Sequence, residues 1–205
     1  MTARFDHLAI AAENLDAGVA AVEEALGMAL LPGGHHVRMG THNRLLSLGP
    51  DEYLEVIAID PDAPAPDHPR WFDLDRFAGR PRPQTWIARC DDMDATLARA
   101  PEGAGRPMEF ARDDLRWRMA VPTDGRLPFD SLFPALIEWQ GARHAAAGLT
   151  DTGARLEALA LRHPQAEALR AALGPLLTDG RLSISAGPVA ISAEIRTPHG
   201  LRVLV

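Results

Sequence analysis

Two stretches of the chain repeat one another, and internal repetition restricts a fold more tightly than composition does. "AIAAENLDA" (residues 9–17) lies over "IARCDDMDA" (residues 87–95), so Asp16 falls on Asp94 at an offset of 78. The same offset sets His7 over Thr85. Further on, "YLEVI" lies over "LIEWQ", so Glu55 falls on Glu138 at an offset of 83, the extra five residues being read as loop insertions. Both glutamates interrupt apolar strand-like runs. A buried carboxylate is costly unless it is paired, protonated or bound to a metal, so each needs a reason.

The pattern around each copy is the same. "FDHLAIAA" reads as a strand, and Leu15, Val19, Val22 and Leu26 then mark one face of a helix. Asn14 is its expected N-cap and Gly27 its stop. "HHVRMGT", "NRLLSLG" and "YLEVIAID" follow as strands, with "GPDE" a hairpin loop. Residues 84–141 repeat the order. "TWIARCDDMDATLARA" is a strand and a short helix capped by Asp92, and "MEFARD", "LRWRMAVP" and "ALIEWQG" are strands, with a turn at "PTDG". Between the copies, residues 61–83 hold six of the 17 prolines. That connector carries one apolar turn, around Trp71, Phe72, Leu74 and Phe77, expected to pin it to the core. A weaker third echo closes the chain, with a helix between Pro164 and Gly174 and the strands "RLSISA", "VAISAEIRT" and "LRVLV".

The expected architecture is therefore α+β. It has two paired βαβββ modules (1–60 and 84–142), a proline-rich connector (61–83) and a degenerate βαβββ unit (151–205). The tail is expected to extend a sheet or cover an edge. Two such modules pair around one cavity, and His7, Glu55 and Glu138 are expected to converge there as metal ligands. Mixed nitrogen and oxygen ligation suits zinc, nickel, manganese or iron, and more oxygen suits magnesium. Glu55 and Glu138 are also the candidate general bases. His36, Asn43 and Thr85 are candidates for substrate binding, with His35 facing solvent. Each has a plainer reading. Arg38 or Arg44 is an alternative partner for Glu55, Arg116 or Arg118 for Glu138, and His7 reads equally as a hydrogen-bonded core histidine. Cys90 reads as a passive buried thiol.

Composition narrows the chemistry. The chain has 21 basic and 28 acidic residues, a net charge of −7, and every basic residue is arginine. Without lysine there is neither a Schiff-base enzyme nor a P-loop. The acidic balance argues against nucleic acid and anionic membranes as partners. One cysteine excludes an internal disulfide. A charged N-terminal stretch and the lack of a long apolar run make a cytoplasmic location the expectation.

The strings "DHLAIAAENLDA", "GGHHVRMGTHNRLLSLGPDEYLEVIAI", "RWFDLDRF", "TWIARCDDMDA" and "LPFDSLFPALIEW" resemble the vicinal oxygen chelate superfamily. That group includes glyoxalase I, extradiol dioxygenases, fosfomycin-resistance enzymes and methylmalonyl-CoA epimerase. The resemblance covers residues 5 to about 141 and is nearest to uncharacterised glyoxalase-like domain proteins. It implies a His or Gln from the first strand and a Glu from the fourth strand of each module. His7, Glu55 and Glu138 match, and Thr85 departs. Extradiol dioxygenases need two histidines and a glutamate, so that reaction is disfavoured. The implied function is a metal-dependent lyase or isomerase acting on a small oxygen-rich metabolite, and the tail is expected to pair either within the chain or across a homodimer. The alternative is a metal-free protein that binds or sequesters a small molecule in the same cavity.

Overall fold

The computed structural model describes residues 3–141 and 143–205. The expected module boundaries at residues 1 and 142 fall outside them. The first half holds β1 (Ala3–Ala11), α1 (Leu15–Leu26), β2 (Leu31–His36), β3 (Thr41–Ser47) and β4 (Tyr53–Ile59). The second holds β5 (Arg82–Cys90), α2 (Met93–Leu97), β6 (Arg106–Arg112), β7 (Leu115–Val121) and β8 (Ala135–Gln140). These eight strands form one sheet in the order β2-β3-β4-β1-β5-β8-β7-β6. Each half is wired alike. Its first strand runs parallel to its fourth, its other neighbours are antiparallel, and β1 meets β5 antiparallel at the seam.

The helices form where their caps dictate. Asn14 Oδ1 accepts from Ala17 N at 3.1 Å, and Asp92 Oδ1 accepts from Ala95 N at 2.9 Å. Gly27 ends α1 in the left-handed region, at φ 68°. α1 lies so close to the sheet that a Cβ on Gly18 would sit 2.6 Å from Ala12 Cβ and 2.7 Å from Val56 Cγ1. One expected strand moves. Residues 37–40 form a turn, with Met39 N donating to His36 O at 2.9 Å, so β2 ends where "HHVRMGT" was expected to continue.

Strand alternation sorts the large sheet into two faces. Leu8, Ile10, Leu54, Val56, Trp86, Ala88 and Leu136 point to the outer face, fully buried. Each large side chain buried there contributes roughly 1.5–3 kcal/mol. Ala9, Ala11, Ile57, Ile87, Trp117, Met119, Ala135 and Ile137 point to the inner face. The connector folds over that inner side. Its 3₁₀ turn, Trp71–Arg76, buries Trp71, Phe72 and Leu74 there, as expected of a pinned connector.

The tail keeps the βαβββ order in the chain but not its wiring. β9 (Arg155–Arg162), α3 (Ala166–Leu173), β10 (Leu182–Ser185), β11 (Ala190–Thr197) and β12 (Gly200–Leu204) form a separate sheet, ordered β10-β9-β11-β12. Here the first strand is internal and runs parallel to the second, not the fourth. The tail neither extends the large sheet nor covers an edge. Leu156, Leu159, Leu161, Leu169, Ile191, Ile195 and Leu204 instead join the core on the outer face. Among the described residues, no helix is long and apolar enough to cross a membrane.

Candidate functional site

On the inner face His7, His36, Asn43, Tyr53, Glu55 and Arg112 open onto a cavity walled by Trp71, Trp117 and Trp139. Its free space is about 30 Å³, room for a water rather than a metabolite until the walls move. The site begins with a bulge in β1. Phe5 pairs with Ala88 and His7 with Ile87, so Asp6 is an extra residue against β5. Bulges re-aim side chains, and this one turns Asp6 to the same side as His7.

Asp6 is fully buried and accepts from three donors. His7 Nδ1 lies 2.6 Å from its Oδ1, while Trp139 Nε1 at 3.0 Å and His144 Nε2 at 2.9 Å reach its Oδ2. The His144 tautomer follows from its neighbours. Ala146 N donates to Nδ1 at 3.1 Å, so the proton sits on Nε2, facing Asp6. Burial alone would raise the Asp6 pKa, but the bonds from His144 and His7 outweigh it and hold the carboxyl well below its usual range.

From His7 the chain of contacts runs on into the cavity. His7 Nε2 lies 3.4 Å from Glu55 Oε1 and 3.5 Å from the Tyr53 hydroxyl, and the Tyr53 ring stacks on the imidazole. Asn43 Nδ2 donates to Glu55 Oε2 at 2.8 Å, and Gly34 N donates to Asn43 Oδ1 at 2.9 Å. A Cβ on Gly33 would collide with Asn43, so only glycine lets β2 approach this closely. Burial opposes charge on His7, yet its bonds to Asp6 and Glu55 raise it to about 9. Burial likewise opposes charge on Glu55, yet His7 holds its carboxyl below the usual value. At neutral pH this is a buried imidazolium between two carboxylates. Burial pushes the Tyr53 hydroxyl well above its ordinary value, so it stays protonated.

His36 completes the wall as a neutral ring, because burial lowers it to about 4. Its Nδ1 faces Thr41 Oγ1 at 3.1 Å, and Arg112 Nη1 points at its Nε2 from 3.5 Å. Trp71 packs against it edge-on at 5.0 Å, and the Trp71 Nε1 is buried with no hydrogen-bond partner among the described residues. Such an orphaned buried donor is uncommon.

The structure thus gathers His7, Glu55, His36 and Asn43 and leaves two expected residues outside. Glu138 points to the outer face, since Ile137 and Trp139 beside it take the inner one. It accepts from Met93 N at 3.1 Å and from Arg118 Nη1 at 3.0 Å. The register sets Ala135 on β8, not Glu138, at the place that Glu55 holds on β4, and a slip by an odd number of residues turns a strand's side chains over. Thr85 shares the inner face with Ala9, is buried, and turns its hydroxyl toward Trp86 O at 3.4 Å instead of lining the cavity. Asp6, Tyr53, Arg112 and His144 are not among the expected site residues, and Trp71 was expected only to pin the connector. Tyr53 had a signal, two residues before Glu55 on one strand face. Asp6 depends on the bulge, and Trp71, Arg112 and His144 come from the connector, the end of β6 and the segment after β8.

The metal expected at His7, Glu55 and Glu138 does not find its donors, since Glu138 lies on the outer face and His7, Glu55 and His36 in the cavity do not bring three ligand atoms within 4.8 Å of one another. A catalytic site commonly needs three protein ligands. Three ligand atoms do converge elsewhere. Those of His35, His42 and Asp60 lie within 4.8 Å of one another, an arrangement able to hold an ion.

Comparison with known proteins agrees with the fold. A hypothetical protein from Staphylococcus aureus matches with a TM-score of 0.62 at 13% identity, over 92% of this chain and 88% of that one. Methylmalonyl-CoA epimerase from Streptomyces coelicolor, in complex with 2-nitronate-propionyl-CoA, covers 69% of this chain and 100% of its own at 17% identity and a TM-score of 0.46. The Mycobacterium tuberculosis epimerase covers 70% of this chain and 91% of its own at 21% identity and a TM-score of 0.43. No curated protein matches at a significant level. The family described as "Glyoxalase-like domain" matches residues 5–177, and this chain belongs to that family, within the vicinal oxygen chelate superfamily.

Proposed function

We propose that the protein is an isomerase- or lyase-type enzyme that moves a proton on a small oxygen-rich metabolite bound in the inner cavity. One observation carries this reading, the buried chain Asp6–His7–Glu55–Asn43 ending at the cavity. Glu55 serves as the base that takes a proton beside a carbonyl or carboxylate. The His7 imidazolium and the Arg112 guanidinium stabilise the oxyanion that develops. Asp6 is a positioning residue, fixing the His7 ring and its charge. Trp71 Nε1 donates to a substrate oxygen. No step runs through a metal in this cavity.

Turnover requires Glu55 to regain basicity, because contact with His7 holds its carboxyl low. A substrate oxygen that takes over the His7 Nε2 proton loosens that contact and releases the base. The same low basicity favours the second reading, a protein that binds such a metabolite without turnover.

Deuterium exchange separates the two. A panel of 2-oxo acids, 2-hydroxy carbonyl compounds and acyl thioesters is incubated with the protein in heavy water and followed by proton NMR. Loss of a signal next to a carbonyl, at least about a hundredfold slower with Glu55→Gln, supports catalysis. Saturable binding with no exchange across the panel rejects it in favour of sequestration.

A further inference from the structure

We propose that His35, His42 and Asp60 form a divalent transition-metal site on the outward side of the β2–β3 edge, separate from the cavity. Their ligand atoms lie within 4.8 Å of one another. Each is placed by a different part of the backbone. His35 and His42 are direct cross-strand partners on β2 and β3, so both rings rise from the same side of the sheet. Their centroids are 6.0 Å apart. Asp60 stands just past the end of β4, where its backbone N–H donates to Gly40 O at 3.0 Å. Asp62 N donates to Asp60 Oδ1 at 3.1 Å, which leaves Oδ2 to face the histidines.

The donor chemistry selects the ion. Two imidazoles and one carboxylate suit zinc, nickel, cobalt or ferrous iron, whereas magnesium and calcium prefer oxygen alone. His35 Nδ1 lies 2.6 Å from Asp60 Oδ2. An ion takes the place of that hydrogen bond, the ring proton moving to Nε2 of the exposed imidazole. The His35 side chain is 69% exposed, so waters can complete the coordination sphere.

The site bears on the cavity through alternation. His36, Thr41 and Asn43 project inward from the strands that project His35 and His42 outward. An ion bound outside ties β2, β3 and the end of β4 together, and so fixes the wall that carries His36 and Asn43.

The test uses the full chain, stripped with chelator and returned to chelator-free buffer. Zinc is titrated by calorimetry, and cobalt by its visible absorption. The expected result is one ion per chain, with affinity at least about tenfold weaker in His42→Ala and in Asp60→Asn. Circular dichroism confirms the fold of each variant, and His42→Gln replaces any alanine variant that does not fold. Stripped wild-type protein that binds neither ion overturns the proposal. So does a folded His42 or Asp60 variant that binds as tightly as wild type.

Discussion

His7 holds a charge that burial opposes, and this gives the protein a pH signature. Its pKa is raised to about 9 from 6.5. The stability it contributes is complete below pH 6.5 and is lost as pH rises through about 9. At about 1.4 kcal/mol per unit, the loss is roughly 3 kcal/mol. His36 acts in the opposite direction, being lowered to about 4 from 6.5. Its stability is complete above pH 6.5 and is lost as pH falls through about 4. Melting temperature should therefore peak near pH 6.5, and His7→Gln should flatten the alkaline limb. An unchanged alkaline limb in that variant would sink the assignment. The two glutamates should separate just as clearly. Glu55→Gln leaves the His7 charge with one carboxylate fewer in a buried site, a loss of about 3 kcal/mol. Glu138→Gln weakens a partly exposed pair with Arg118 and should cost no more than about 1 kcal/mol. Thermal melts of both variants check this, and equal losses would contradict it. Sequence made His7 and Glu55 legible, because an ionisable group in an apolar strand stands out. It hid Asp6, whose inward aim comes from a bulge that only the β5 register reveals, and it misplaced Glu138, because a repeat alignment tolerates an odd-numbered slip that reverses a strand face.

At the scale of elements, the β2–β3 hairpin is the most exacting part of the site. Gly33 lies against Asn43, which in turn holds Glu55. Gly33→Ala should push Asn43 away, cost roughly 1–3 kcal/mol by overpacking, and raise the basicity of Glu55 by removing a donor. Chemical denaturation measures the first effect, and carboxyl NMR titration measures the second. A variant with wild-type stability and an unshifted Glu55 would mean that β2 has room to yield. The helices were legible because Asn14, Asp92 and Gly27 are local signals that act within one turn. The tail's wiring was not. Its strands alternate as expected, but whether β9 pairs beside β10 or across the sheet depends on packing against the large sheet, which no short window of sequence contains.

At the scale of the whole molecule, the tail closes the core on the outer face of the large sheet. Leu8, Ile10 and Trp86 on the outer face share it with Leu159, Leu169 and Ile195. Removing residues 151–205 uncovers that face, and the truncated chain should be insoluble, or collapsed and bright with a hydrophobic dye. A soluble truncation with sharp melting would show that the large sheet stands alone. The span of one contact has a consequence for synthesis. Asp6 meets His144 across 138 residues of chain, and Trp139 arrives only slightly earlier. At a few to about 20 residues per second, the ribosome leaves the first strand waiting for seconds with its acid in water. The surroundings of Asp6 are therefore completed only when residue 144 has been made, and a nascent chain cut short before its final third lacks both Trp139 and His144, leaving the acid with His7 alone.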